Sequence, residues 1–533
     1  MNLHPRLVLA LLLVGTALLF LGAPHDGAFY WSDAPRHALN GVFVKDLVLA
    51  MPWRDPSGFA YAYYAQYPAL TILFYPPLFY VLSAPFYALF GVSHETALLV
   101  VCLHYMAFAW GCWKLFRFWL PATQAGLAAA LLVCAPEITF WGRQIMLEVP
   151  SLAFLIWSAV CFMHYRREGR TLHLTLAIFL LVAAMYTKIT AAFLAPVYLL
   201  CLLHDRGWRT LRDYKLWLIA IAAVLALVPL VVLTLKFGQA NVQSVSGIAD
   251  AEVSRRSLAG WLWYFKQLPD QLGWPVLIAA CGGLLAMRWL PRDDVQRGDA
   301  LFWLAWFGIG YLFFSAIDLK EARHSVFILP PVVAFAVFLL TRLPRQTLAI
   351  AALAALGIAV IVQTVFFRPV LKVEGYAQVA DWIAHHAPRD SAVLFSGYRD
   401  GSFVFNMRER EDRRDLTVVR ADKILLRVAV RRALGVEEKP LSEADISDQL
   451  NKLGVKYLVV QPGFWNDLAA MQRFERVIAS PQFKQVARFD TPANYPAHEK
   501  ELVIYENLGP VATGPREQSI DLPIINHTIK SQR

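Results

Sequence analysis

Two acidic residues stand beside long apolar segments, where hydrophobic packing gives no reason for a charge. Asp33 lies in the aromatic stretch Tyr30–His37, about ten residues beyond the first apolar segment, and Glu148 lies in the turn after the third. A carboxylate at the mouth of a cavity between helices can accept a proton from a hydroxyl group while its oxygen attacks. Asp33 is therefore our first candidate for a general base. The alternatives are a solvated loop carboxylate or a cap on a helix that contains Pro35.

Further charged residues accompany these two acids. Arg36 follows Asp33 by three residues, and we expect it to keep the carboxylate ionised or to bind an anion beside it. Arg143 shares the turn with Glu148, so the two form either a structural ion pair or part of a site, because charges at such a position are paired or functional. Glu137, near the end of its apolar segment, is a further candidate acid unless it simply faces water.

Four basic residues occupy similar positions at the ends of apolar segments. Lys188 separates two segments with almost no loop between them, and three others come just before a later segment: Lys320, Arg323 and His324. Cations at a bilayer surface suit a lipid-linked phosphate, either as a headgroup or as a leaving group. The alternative is snorkelling to lipid headgroups. Because acids and cations both fall at outer helix ends, we expect one cavity to contain both. Asp26 and Asp46, in the loop of Asp33, are the expected controls.

The composition predicts an α-helical polytopic membrane protein. The 533 residues are 57% hydrophobic and 17% charged, with a mean hydropathy of +0.45, whereas soluble proteins are about 25% charged. The apolar runs are long enough to cross a ~30 Å hydrocarbon core as helices, and they do not alternate as barrel strands do. We predict eleven spans: 6–23, 94–116, 124–141, 150–165, 171–187, 189–203, 215–236, 271–290, 300–316, 324–341 and 346–367.

The basic residues predict the orientation of these spans. The segment Pro68–Phe90 is apolar enough to cross, but counting it would place Arg166, Arg167 and later basic clusters outside. The positive-inside rule therefore favours a helix lying in the interface, in the first outer loop. We expect an inner-membrane protein with a cytoplasmic amino terminus. The same distribution explains the net charge of +10 without nucleic-acid binding.

The polar carboxyl-terminal part predicts a small extracytoplasmic (periplasmic) α/β domain over 368–533, after a transmembrane domain over 1–367. The predicted strands are Ala392–Phe395, Phe403–Phe405, Thr417–Val419, Tyr457–Val460 and Leu502–Tyr505, and the predicted helices are Tyr376–Ala387 and Glu443–Leu453. The last twenty or so residues lack periodicity, and we expect them to be disordered. All six cysteines lie in predicted spans, which argues against a disulfide framework.

Together these residues resemble the GT-C glycosyltransferases, polytopic enzymes that use lipid-phosphate sugars. The likeness is to the bacterial branch related to protein O-mannosyltransferases and the aminoarabinose transferase of lipid A, and it covers roughly residues 1–370. The residues that carry it are Asp33, Tyr75-Pro76-Pro77-Leu78 with Phe90-Gly91, Arg143 with Glu148, Tyr186-Thr187-Lys188, and Arg323-His324 before Leu329-Pro330.

The resemblance implies an inverting transfer from a polyprenyl-phosphate sugar to a glycan, lipid or protein acceptor at the outer membrane face. Asp33 would be the base, and the donor phosphate would contact Lys188, Lys320, Arg323 and His324. The family often has Asp-Glu in the first loop, whereas Ala34 follows Asp33 here. Glu148 is then the second acid, and no metal or other cofactor is expected.

Two other functions stay open at this point. A transporter or flippase for lipid-linked sugars usually shows matched halves and broken helices near the membrane midplane, and no internal repeat is visible here. A sensor anchored by its spans would not need eleven of them. The absence of Walker, glycine-rich and His-Glu-x-x-His motifs argues against a nucleotide-driven pump.

Overall fold

The computed structural model describes residues 3–238, 253–287, 294–428, 432, 435–513, 517–522 and 527–532. Helices dominate as far as residue 367, and a mixed sheet follows. The α-helices before the sheet are Pro5–Leu18, Asp33–Ala50, Pro56–Gln66, Leu78–Phe90, His94–Phe116, Ala122–Val133, Pro136–Gly142, Glu148–Glu168, Thr171–Thr187, Leu194–Arg206, Tyr214–Phe237, Leu258–Leu272, Trp274–Ala286, Asp294–Ser315, Leu329–Leu340 and Gln346–Val362. Short 3₁₀ helices include Leu19–Gly22, Ile189–Phe193, Gly207–Arg212 and Ala322–Ile328.

Among the described residues, eight helical segments are long and apolar enough to cross a membrane. The pair Ala122–Val133 and Pro136–Gly142, bent by 66°, is a ninth if it forms one broken span. The predicted spans 171–187 and 271–290 contain helices of only 17 and 13 residues, fewer than the ~20 that a full crossing needs. Residues 288–290 of the second lie outside the described part. All eleven predicted segments are helical, but eight or nine qualify as spans.

The segment between the first two spans, predicted to be the first outer loop, carries three helices, and the first of them begins at Asp33. Its acid in the first turn and Pro35 just inside the start both favour a helix beginning here. Ser32, and not Asp33, occupies the capping position. The helix Leu78–Phe90 has 13 residues, too few to span, and its location in the membrane interface stays a prediction.

The carboxyl-terminal sheet has five strands: β1 Ala392–Ser396, β2 Thr417–Arg420, β5 Val455–Val460, β6 Phe483–Asp490 and β7 Glu501–Asn507. Their order is β2-β1-β5-β7-β6. Strands β2, β1 and β5 are parallel, whereas β7 is antiparallel to both of its neighbours. The longest helices around the sheet are Tyr376–His386, Asp400–Glu409, Glu443–Lys452 and Ala469–Ile478. Four predicted strands and both predicted helices are confirmed.

The predicted strand Phe403–Phe405 is wrong, because these residues lie in the helix Asp400–Glu409. All three side chains are buried. A short run that is apolar on every side has no periodicity to separate a buried strand from a buried helix.

Two hairpins complete the described chain, β3 Leu426–Val428 with β4 Val436–Glu438 and β8 Glu517–Leu522 with β9 His527–Gln532. The expectation of disorder is therefore wrong for residues 517–522 and 527–532. Ile520 and Ile529 face each other across the last hairpin and pack on Ala65 of the first outer loop. This apolar contact between distant segments has no local sequence signal.

The carboxyl-terminal part packs directly on the helical part. Phe403 belongs to the same buried cluster as Ala38 of the helix Asp33–Ala50. The two helices are also joined by charges, because Arg408 Nη2 lies 2.7 Å from Asp46 Oδ2. Just after the second helix, Glu411 Oε1 lies 3.1 Å from Lys45 Nζ. The domain boundary at 367 stays a prediction, but the parts on either side of it share one core.

Asp46→Ala is expected to destabilise the protein by about 3 kcal/mol, because the fully buried Arg408 loses its nearest counter-ion. Asp46 is 5% exposed, so it is not the neutral control expected from the sequence. Thermal unfolding in detergent measures the effect. Asp448→Ala is the comparison, since its exposed pair with Lys452 contributes less than about 1 kcal/mol. Equal losses of stability in both variants would contradict the prediction.

Candidate active site

Asp33 faces a cluster of aromatic and charged side chains and not bulk solvent. Its side chain is 19% exposed. Its Oδ2 accepts a hydrogen bond from Trp31 Nε1 at 3.2 Å and lies 3.2 Å from Arg323 Nη1. Burial is the largest influence on the pKa of Asp33 and raises it, but Arg323, with smaller contributions from His37 and Arg36, brings the pKa below its usual value. The carboxylate is therefore ionised at neutral pH.

Arg323 connects the carboxylates of the cluster. It sits in the 3₁₀ helix Ala322–Ile328, forms an ion pair with Glu321, and has its Nε 3.8 Å from Glu148 Oε1. Two indole rings flank its guanidinium, those of Trp31 and Trp141, with centroids 5.1 and 5.5 Å away. A planar guanidinium suits this combination of aromatic stacking and forked hydrogen bonding.

Glu148 and Lys188 form the second half of the cluster. Lys188 Nζ donates to Glu148 Oε1 at 2.6 Å, and Glu148 is only 1% exposed. Glu148 starts its helix, where an acid is favoured by the helix dipole. Lys188 is the residue between the helix Thr171–Thr187 and the 3₁₀ helix Ile189–Phe193, so its side chain is not turned outward on a loop. The break explains why a lysine with almost no loop reaches this site.

Asp33, Glu148, Lys188 and Arg323 are thus brought together, as the sequence leads us to expect, and the other two basic residues, Lys320 and His324, flank them. His324 Nε2 lies 3.7 Å from Glu321. Lys320 Nζ donates to the carbonyl oxygens of Ser315 and Phe314, at 2.6 and 3.4 Å, which caps the preceding helix. Burial lowers the pKa of Lys320 to about 8.

Arg36 does not pair with Asp33. Its Nη2 donates to both carboxylate oxygens of Asp400, at 2.9 and 2.8 Å, and its Nη1 donates to the Ser32 carbonyl. The charge of Arg36 still helps to lower the pKa of Asp33, but Arg323 makes the direct contact and has the larger effect. A partner 364 residues away in sequence cannot be read from local spacing.

Arg143 does not pair with Glu148 either. Its guanidinium donates to the carbonyls of Thr139 at 3.1 Å and Gly22 at 3.4 Å, and it lines a small cavity together with Tyr30 and Ala34. Within the described residues no carboxylate accepts from it. The expectation of a structural Arg143–Glu148 pair is wrong, because Arg143 instead turns toward the end of the first helix.

Glu137 is buried and does not face water. It accepts hydrogen bonds from Arg368 Nη2 and Trp141 Nε1, both at 2.6 Å. Trp141 also flanks Arg323, so Glu137 supports one wall of the cluster from behind. This placement leaves Glu137 outside the group of charges around Asp33.

Several residues of the site were missed from the sequence. Glu321, Trp31 and Trp141 carry no distinguishing local signal. His37 does, because it follows Asp33 by one helical turn and shares its face. His37 Nδ1 lies 2.8 Å from the Tyr80 hydroxyl. Burial lowers the pKa of His37 to about 4, so its ring is neutral.

A family model matches residues 75–233 and is described as dolichyl-phosphate-mannose-protein mannosyltransferase. No curated protein sequence matches the chain.

Solved structures are similar over most of the chain. ArnT from Cupriavidus metallidurans bound to undecaprenyl phosphate is 14% identical, with a TM-score of 0.61 over 95% of this chain and 99% of that one. Arabinofuranosyltransferase AftD from Mycobacteria is 17% identical, with a TM-score of 0.54 over 98% of this chain and 41% of that one. Oligosaccharyltransferase AglB from Archaeoglobus fulgidus, in complex with an inhibitory peptide and a dolichol-phosphate, is 11% identical, with a TM-score of 0.53 over 93% and 75%.

The acids and cations around Asp33 lie at helix ends of this fold. Residues 75–233 match the family model of dolichyl-phosphate-mannose-protein mannosyltransferases, and the chain shares its fold with the ArnT, AftD and AglB structures.

Proposed function

We propose that the protein transfers a sugar from a polyprenyl-phosphate donor to an acceptor at the outer face of the inner membrane, with inversion at the anomeric carbon. The observation that carries the proposal is one connected cluster, in which Arg323 lies between Asp33 and Glu148 and Lys188 binds Glu148. The lipid carriers in the ArnT and AglB structures support the donor class. A polyprenyl chain needs hydrocarbon and its phosphate needs cations, and helix ends at the membrane surface supply both.

In the proposed reaction Lys188 and Arg323 bind the donor phosphate. Asp33 accepts the proton of an acceptor hydroxyl while that oxygen attacks the anomeric carbon from the face opposite the phosphate. The bond between the sugar and the phosphate oxygen breaks, and its electron pair stays on the phosphate. The two cations stabilise the negative charge that develops there.

Donor binding would also raise the pKa of Asp33 and so make it a stronger base. Arg323 now lies between Asp33, Glu148 and Glu321, and a phosphate is a strong competitor for a forked guanidinium. When Arg323 turns toward the phosphate, Asp33 loses the main cause that lowers its pKa. The pKa then rises, which makes the carboxylate a better base.

Glu148 is the second acid of the proposal. Its hydrogen bond from Lys188 holds the ammonium in place, and its negative charge favours the protonated form of both cations. We keep the expectation that no metal takes part, because the two cations already lie against the carboxylates that would bind one.

The proposed side of the membrane follows from one helix. The helix Glu148–Glu168 has 21 residues, with the site acid at its start and Arg166 and Arg167 in its last turn, so its two ends lie about 30 Å apart. The positive-inside rule assigns the arginine end to the cytoplasm. The site and the carboxyl-terminal sheet would then be periplasmic.

Purified protein in proteoliposomes, incubated with radiolabelled polyprenyl-phosphate sugars and with glycan, lipid and protein acceptors in turn, tests the proposal. We expect one donor to lose its label to one acceptor class. Label that crosses the membrane still attached to its lipid would instead identify a flippase. No release from any donor would contradict the proposal.

A further inference from the structure

The loop that carries Asp33 is bonded to the carboxyl-terminal part through its own backbone. Arg399 Nη1 donates to the carbonyl oxygen of Tyr30 at 2.5 Å and reaches that of Phe29 at 3.5 Å. Asn406 Nδ2 donates to the Gly27 carbonyl at 3.1 Å. Three contacts, to the carbonyl oxygens of residues 27, 29 and 30, therefore hold the chain just before Asp33.

A second set of contacts holds the chain just after Asp33. Asp400 accepts from Arg36 at 2.8 Å and from Arg420 at 2.5 Å, and all three side chains are less than 20% exposed. Arg420 is in turn paired with Asp422. The backbone approaches so closely here that a Cβ added at Gly401 would lie 3.1 Å from Pro35 Cγ.

From these contacts we infer that Arg399 and Asp400 are positioning residues for Asp33. Arg399 ends the turn after strand β1 and Asp400 begins the helix Asp400–Glu409, so the contacts connect the sheet to the loop that carries Asp33. The inference rests on the proposed role of Asp33 as the base. The carboxyl-terminal domain would then contribute to catalysis without contacting the substrate itself.

The physical reason is that proton transfer tolerates little error in the position of the base. Asp33 is the first residue of its helix, where backbone hydrogen bonds constrain a residue least. A displacement of about 1 Å is enough to cost roughly 100-fold in rate. Side-chain bonds at residues 29, 30 and 36 restrict the loop on both sides of the carboxylate, which a helix terminus alone does not do.

The test compares Asp400→Ala and Asp400→Glu with Asp422→Ala in the full-length protein, using the donor that the wild type consumes. Asp400→Ala is expected to lower kcat roughly 10- to 100-fold with little change in the KM for donor. Asp400→Glu keeps the charge and is expected to restore most of the rate. Asp422→Ala removes a pair to the same Arg420 but no link to the loop, and we expect wild-type kcat.

Amide hydrogen exchange supplies a readout that needs no substrate. Asp400→Ala is expected to speed exchange over residues 28–36, and Asp422→Ala is not. Wild-type kcat in Asp400→Ala, or equal losses in Asp400→Ala and Asp422→Ala, would overturn the inference. Asp33→Asn separates the two proposals, because an inactive Asp33→Asn beside a fully active Asp400→Ala rejects only the positioning role, whereas an active Asp33→Asn rejects the base.

Discussion

Asp33→Asn is expected to lower kcat for sugar transfer by roughly 10²- to 10⁴-fold, the usual contribution of a general base. The amide has nearly the same shape as the carboxylate, so it can still accept the hydrogen bond from Trp31. It cannot take the proton of the acceptor. Because Arg323 keeps Glu148 and Glu321 as partners, the variant should fold normally and bind donor. Single-turnover transfer with the labelled donor measures the loss.

Asp26→Asn is the matched control for this variant. Asp26 lies in the same loop, is exposed, and has a φ of 54° that asparagine also tolerates. We expect its kcat to stay within about twofold of the wild type. Near-normal turnover in Asp33→Asn would remove Asp33 from the role of base, whatever the control does.

Arg323→Gln is expected to have the second large effect, a loss of donor affinity of roughly 30-fold or more. The loss corresponds to about 2 kcal/mol for removing one partner of a desolvated charge pair. The variant also changes the pH dependence of turnover. Without Arg323, burial is left as the main influence on Asp33, and its pKa rises. Since the ionised form is the base, activity should be lost at a higher pH on the acidic side than in the wild type.

The measurement is the KM for donor together with kcat as a function of pH. Arg342→Gln serves as the control, because Arg342 is exposed and rests against Phe338, one helix length from the site. If the donor affinity and the acidic limb of the pH profile both match the wild type, Arg323 neither binds the phosphate nor sets the pKa of the base.

The positions of the apolar helices could be predicted from the hydropathy pattern, because long apolar runs are helical in a bilayer, although two of the eleven predicted spans contain helices too short to qualify. The four central residues of the candidate site, Asp33, Glu148, Lys188 and Arg323, could be named for a related reason. Charges at the ends of spans are expensive unless they meet partners, so their type and place identify them before the fold is known.

Which group each charged side chain pairs with could be learned only from the tertiary structure. Arg36 binds Asp400 and Arg143 binds backbone carbonyls, although each has an acid much nearer in sequence. Glu321 joins the cluster although nothing distinguishes it locally.

The physical reason for this difference is the sequence range over which each interaction acts. Hydropathy and charge placement act residue by residue against the membrane, so the sequence by itself determined the class of protein and which ends of its helices carry chemistry. Ion pairs depend on distances between segments that only packing brings together. The tertiary structure therefore decided that Arg323, and not Arg36, lies against Asp33, and that a distant sheet holds the loop on both sides of that carboxylate.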